Sequence, residues 1–194
     1  MEEVSPLSGA LHTFHARTAP LILDFGLSGG VDTEFYLASG YRVVAAEANG
    51  KFVASAARRL RSFVDLGLLT LVHAAVGGSP DDGQRAGGGT VAFYIDDHHW
   101  ERSSVGSVDG GTPPSGDVSK TEVEQRSCSD VLATALKAHV GKKEVEYAKI
   151  DIEGQDVACL GSLLDSGSEC RHSCEQGRHP IAGVLVSLPR FVSL

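Results

Sequence analysis

Three short stretches hold the side chains whose types and spacing suit chemistry. In Asp24-Phe25-Gly26-Leu27-Ser28-Gly29-Gly30 an apolar run ends in an acid and enters a glycine-rich turn. Glycine lacks Cβ and tolerates positive φ, so the backbone there can come close to a ligand. Glu47 closes a second apolar run about 20 residues further on, where a carboxylate can accept hydrogen bonds from both hydroxyls of a ribose. In Lys149-Ile150-Asp151-Ile152-Glu153-Gly154, Asp151 and Glu153 fall on one side of an extended segment, because side chains repeat every second residue. Two such carboxylates can fix an ammonium, coordinate a cation or orient a hydroxyl. Proton abstraction by either requires a raised pKa.

Each stretch also has a plainer reading: a tight turn at a strand end, an exposed acid after a strand, a solvated acidic turn. The glycine turn matches neither the dinucleotide fingerprint G-x-G-x-x-G nor the phosphate loop ending in Gly-Lys-Ser/Thr. A pyrophosphate needs several converging N–H groups, whereas an adenosylmethionine presents an amino acid and a ribose. The position of Glu47 alone equally permits NAD. His98 and His99 are further candidate bases, but they open a Gly/Pro/Ser-rich stretch and read as surface residues. Cys170 and Cys174, with His172 and His179 nearby, are ligand types that suit zinc. They lie in an irregular segment and are read as ordinary thiols, so no metal site is assigned. Cys128 and Cys159 are expected as small buried thiols in a strand and a helix.

The elements that must position these groups follow from periodicity. Apolar runs at 21–25, 41–46, 68–75, 90–95, 122–128, 147–152 and 181–188 predict strands. Helices are expected over 31–39, 50–63, 131–139 and 155–164. Near-continuous apolar strands alternating with helices predict a doubly wound, mostly parallel α/β sheet, with ligands in the crevice at the strands' carboxyl ends. Residues 96–120 are polar and rich in Gly, Pro and Ser, which predicts a long loop acting as a lid on the acceptor side.

At 194 residues, one domain is expected to span the whole chain, 1–194. With 25 acidic against 17 basic residues, the formal charge of −8 argues against a nucleic-acid partner. No apolar stretch has the length to cross a bilayer, and the first residues lack a basic leader followed by an apolar segment. No membrane partner and a cytoplasmic location are therefore expected.

The chain resembles the FkbM-type branch of the S-adenosylmethionine-dependent methyltransferases. The resemblance rests on Leu23-Asp24-Phe25-Gly26-Leu27-Ser28-Gly29-Gly30, Val43-Val44-Ala45-Ala46-Glu47-Ala48-Asn49, Ala74-Ala75-Val76-Gly77 and Tyr147-Ala148-Lys149-Ile150-Asp151-Ile152-Glu153-Gly154. It runs from about residue 20 to 165; residues 166–194 form an atypical tail, and the closing strands of such a sheet are expected to be missing. The resemblance implies a class I methyltransferase (Rossmann-like) fold with S-adenosylmethionine as cofactor. It implies cofactor contacts from Asp24, Gly26, Ser28, Gly30 and Glu47, and from Ser104 in the polar cluster Glu101-Arg102-Ser103-Ser104. It places Asp151 and Glu153 in the acidic, catalytic motif and makes a hydroxyl of a sugar or other small molecule the methyl acceptor. Two alternatives stay open: a catalytically inactive remnant of the fold serving as a binding module, and an NAD-dependent oxidoreductase.

Overall fold

A computed structural model describes residues 19–77, 89–96, 103–105, 118–138, 145–152, 154–169, 181 and 183–186. The elements are β1 (Leu21–Phe25), α1 (Val31–Ala38), β2 (Arg42–Glu47), α2 (Gly50–Arg59), α3 (Arg61–Asp65), β3 (Leu69–His73) and β4 (Ala75–Gly77). They continue with β5 (Thr90–Asp96), β6 (Ser104–Val105), β7 (Val118–Ser127), α4 (Cys128–Ala138), β8 (Val145–Ile150), α5 (Asp156–Glu169) and β9 (Val184–Val186).

β1 carries five buried residues in a row because both of its faces are covered. Leu21, Leu23 and Phe25 meet Val131 and Leu132 of α4 and Cys159 and Leu163 of α5. Ile22 points the other way, toward Tyr36 and Leu37 of α1 and Ala56 of α2. Alternate side chains thus serve two separate apolar layers, which is why the run reads as continuous rather than alternating. Across the second layer the Tyr36 and Tyr147 rings meet edge to face, 5.5 Å between centroids, tying α1 to β8.

The larger sheet has the order β3-β2-β1-β8-β9, and each of its neighbouring pairs is parallel. Strand order reverses between β1 and β8, leaving a crevice above their carboxyl ends. The result is a parallel sheet flanked by helices on both faces, coarsely Rossmann-like. β9, with a bridge from Ile181 to Val145, fills the fifth position from within the expected 181–188 segment. A smaller mixed sheet, β4-β7-β5-β6, stands beside it around Ala75, Val91, Phe93, Ile95 and Val123.

Four expectations need correction. The helix expected over 50–63 divides at Leu60, which leaves helical geometry at φ −104° and ψ 24° as its side chain turns into the core. The single strand expected over 68–75 also divides: at the buried Ala74, whose N–H reaches the Glu47 carbonyl at 3.0 Å, the chain leaves the parallel sheet and starts the mixed one. The long loop is shorter than composition suggested, because β6 pairs with β5 inside it and β7 begins at Val118; residues 106–117 lie outside the described residues. Cys128 opens α4 instead of ending a strand, and its sulfur is bonded to that of Cys159. The two Cα atoms stand 5.3 Å apart where α4 packs on α5, within disulfide range, so these cysteines are a cross-link and not free thiols.

Candidate active site

Where β1 ends, Gly26 turns at φ +93°, and a Cβ on it would lie 1.9 Å from the Asp151 carbonyl oxygen. Only glycine fits where the turn after β1 presses on the segment after β8. Gly30, at φ +73°, then starts α1 without a side-chain cap. Within this turn the N–H groups of Gly26 and Leu27 both donate to the Ala46 carbonyl, at 3.0 and 3.3 Å, and that of Gly30 to the Leu27 carbonyl at 2.8 Å. Arg59, at the end of α2, holds the outer side: it donates to the Gly29 carbonyl at 2.6 Å and pairs with Glu34 of α1.

At the end of β2 the Glu47 carboxylate accepts from the Ser28 N–H at 2.8 Å through Oε2 and from the Asn49 N–H at 2.7 Å through Oε1. The Ala48 N–H also favours the charged carboxylate, whose two oxygens have about four lone-pair sites between them and so keep acceptor capacity. Burial pushes the Glu47 pKa up, and the backbone N–H groups only partly reverse this. Asn49 also caps α2, its side chain accepting from the Lys51 N–H at 3.0 Å.

At the end of β8, Lys149 faces Asp24 directly across the β1 pairing. Its ammonium donates to Asp24 Oδ1 at 3.2 Å and to the Gly26 carbonyl at 3.3 Å. It also pairs with Asp32 at 3.2 Å and Asp151 at 3.8 Å. Burial alone would lower the Lys149 pKa, but Asp24, Asp32 and Asp151 outweigh it and hold the group above the ordinary lysine value. Asp24 is completely buried and accepts a second hydrogen bond, from Thr33 Oγ1 at 2.5 Å. Burial raises its pKa against the pull of Lys149 and Thr33.

These strand ends open on one cleft of about 380 Å³, within the range of small-molecule sites. Gly26, Ser28, Gly30, Glu47 and Asp151 all line it, so five of the residues singled out from sequence come together. Asp24 does not line it; this residue lies beneath, fastening the floor. Ser104 lies in β6 but is not among the lining residues, whereas its neighbours Ser103 and Val105 are. Glu153, His98, His99, Cys170 and Cys174 lie outside the described residues. Among the described residues no group of three or more His, Cys, Asp or Glu is placed to hold a metal ion.

Sequence reasoning left several contributors without a role. Phe52 of α2 and Ala74, Ala75 and Val76 after β3 give the cleft an apolar slot beside Glu47. Gln155 closes the far side, its Oε1 only 2.8 Å from where a Cβ on Gly77 would stand. Asp156 braces that end by accepting from the N–H groups of Ile152 and Gly154, both at 3.1 Å. Lys149 was detectable in principle, because a lysine inside an apolar strand must find carboxylate partners. Arg59 was not separable from its neighbours Arg58 and Arg61 without knowing which side of α2 meets the turn. No family model matches the chain, and neither a curated protein nor a solved structure matches it.

Proposed function

We propose that the chain is an S-adenosylmethionine-dependent O-methyltransferase acting on a hydroxyl of a small molecule. The observation that carries the reading is the meeting of the Gly26 turn, Glu47 and Asp151 on one cleft at the point where strand order reverses. The residues suit an adenosyl group part by part. Glu47 offers oriented acceptor lone pairs to a ribose diol. Phe52 and the alanines after β3 make a flat apolar slot for a purine. The Gly26 turn, packed on the Asp151 carbonyl, brings the backbone of residues 26–30 along the cleft beside Asp151.

Charge favours this cofactor over a dinucleotide. Of the five turn residues 26–30, four spend their N–H on protein acceptors: Gly26, Leu27, Ser28 and Gly30. Asp24, Asp32 and Asp151 surround a single ammonium, leaving the floor net negative. A pyrophosphate meets repulsion there, while a cationic ligand end is attracted. Among the described residues no helix is long and apolar enough to cross a membrane.

Bound S-adenosylmethionine supplies a methyl group on a positively charged sulfur. The chain's share of the work is to bring an acceptor hydroxyl into line at close range, and such positioning provides much of the rate. Asp151, with its carboxylate partly exposed at the cleft, is placed to accept the hydroxyl proton or orient its lone pair.

Calorimetric titration with S-adenosylmethionine, S-adenosylhomocysteine and NAD tests the assignment. Binding of the first two without the third supports it. Binding of NAD alone moves the protein to the oxidoreductases, and binding of none leaves the inactive-remnant reading. A screen of hydroxylated small molecules for methyl transfer then identifies the acceptor.

A further inference from the structure

We infer that Lys149 is a positioning residue for the amino-acid end of the cofactor. This rests on the adenosyl reading above and adds a part to it. Lys149 is a buried cation with four partners at one atom. Its Nζ reaches Asp24 on β1, the Gly26 carbonyl in the turn, Asp32 in the first turn of α1 and Asp151 after β8. It also borders the cleft, as do Gly26, Asp32 and Asp151.

A fully buried aspartate without a cation would be costly, so Asp24 alone accounts for one partner. It does not account for the others. By binding the Gly26 carbonyl, the ammonium holds the turn down onto β8; by binding Asp32 and Asp151, it draws α1 and the acceptor-side segment to the same point. The contacts of Lys149 therefore lie at the turn end of the cleft. Glu47 meets the same turn from its other side, its carboxylate bonded to the Ser28 and Asn49 N–H groups and not to the ammonium, and Ala74 lies beyond it along the cleft lining. Of a ligand that spans the cleft, the amino-acid part stands next to Lys149, while the nucleoside is linked to it only indirectly, through the shared turn.

Adenosine and S-adenosylhomocysteine separate the two ends, because they share the nucleoside and differ in the amino-acid chain. The double variant Lys149→Met with Asp24→Asn removes both buried charges together, which avoids leaving one unpaired. S-Adenosylhomocysteine affinity is expected to fall about tenfold or more, the scale of losing charge-assisted hydrogen bonds. Adenosine affinity is expected to stay within about twofold, since its contacts are intact. Equal weakening of both ligands would mark Lys149 as a fold-stabilising residue only, and unchanged affinity for both would equally overturn the inference. Asp32→Asn gives the same test from the exposed side, where Asp32 is 55% accessible and the fold is not at stake. It must weaken S-adenosylhomocysteine and spare adenosine. A wild-type chain that binds adenosine but not S-adenosylhomocysteine defeats the Lys149 assignment, whereas one that binds neither defeats the nucleoside reading as well.

Discussion

Asp151 fills the space that a side chain on Gly26 would need: its carbonyl oxygen stands 1.9 Å from where a β-carbon on Gly26 would be. The Asp151 N–H also donates to the Phe25 carbonyl at 2.9 Å, so the contact is pinned from both strands. The carboxyl ends of β1 and β8 are thus fitted together through backbone, at the point where the cleft opens.

Gly26→Ala is therefore expected to be severe. It adds a clash with backbone to a left-handed φ of +93°, and a loss of about 2 kcal/mol or more in unfolding free energy should follow. Gly29→Ala is the matched control. A Cβ there meets nothing within 4 Å, and the change should stay within about 1 kcal/mol. Urea titration of the two variants makes the comparison, and similar losses would refute the contact.

The raised pKa of Glu47 gives a pH dependence with opposite signs for binding and stability. The folded state holds this proton more tightly than the unfolded chain does. Its contribution to stability is complete below the unfolded carboxylate value and is lost as pH rises through the higher folded value. Ribose binding uses the charged form, so adenosine affinity should drop as pH falls through that folded value, above the ordinary glutamate range. Glu47→Gln should flatten the profile and weaken adenosine about tenfold or more at neutral pH. Calorimetry between acidic and neutral pH distinguishes this from a pH-independent loss.

Reduction of the Cys128–Cys159 bond should cost about 3–4 kcal/mol, the loop-closure scale for a separation of 31 residues. Both cysteines are completely buried where α4 packs on α5, and neither is among the cleft-lining residues. Adenosine binding should survive reduction while the melting temperature falls. A dithiol titration followed by thermal melting checks both halves. Alkylation of the chain during isolation would also bear on the cytoplasmic expectation, because such bonds persist mainly in oxidising compartments.

Arg59→Ala separates local order from global stability. Arg59 and Glu34 are 40% and 51% exposed, so their ion pair contributes little, about 1 kcal/mol at most. The same change frees the Gly29 carbonyl, which lines the cleft through its residue. Weaker S-adenosylhomocysteine binding with a nearly unchanged unfolding midpoint is expected. Arg61→Ala, which among the described residues loses the exposed pair with Asp65, should change neither.

Much of this arrangement was written in the local order of residues. The pentapeptide Leu21–Phe25, apolar but for Asp24 and followed by Gly26, points to a buried strand and a turn, because its shortness and the flanking glycine favour a strand and glycine admits positive φ. Glu47 and Asp151 at the ends of apolar runs likewise announce carboxylates at strand termini, and parallel winding sends those termini to the same edge. The breaks at Leu60 and Ala74 were not legible. Each residue is small or apolar enough to continue its element, and only the core or sheet it turns into explains the departure.

Partnership across distance was decided by tertiary structure alone. Asp24 carries the same carboxylate as Glu47 and stands at a similar place on its strand, yet one is sealed against Lys149 and Thr33 while the other opens on the cleft. The spacing of residues along a chain fixes which side of a strand a group takes, but packing of α1 over β1 determines whether that side meets water. The Cys128–Cys159 bond and the four-way contact of Lys149 share this origin: both join residues separated in sequence, and only the docking of one element on another brings such atoms within bonding distance.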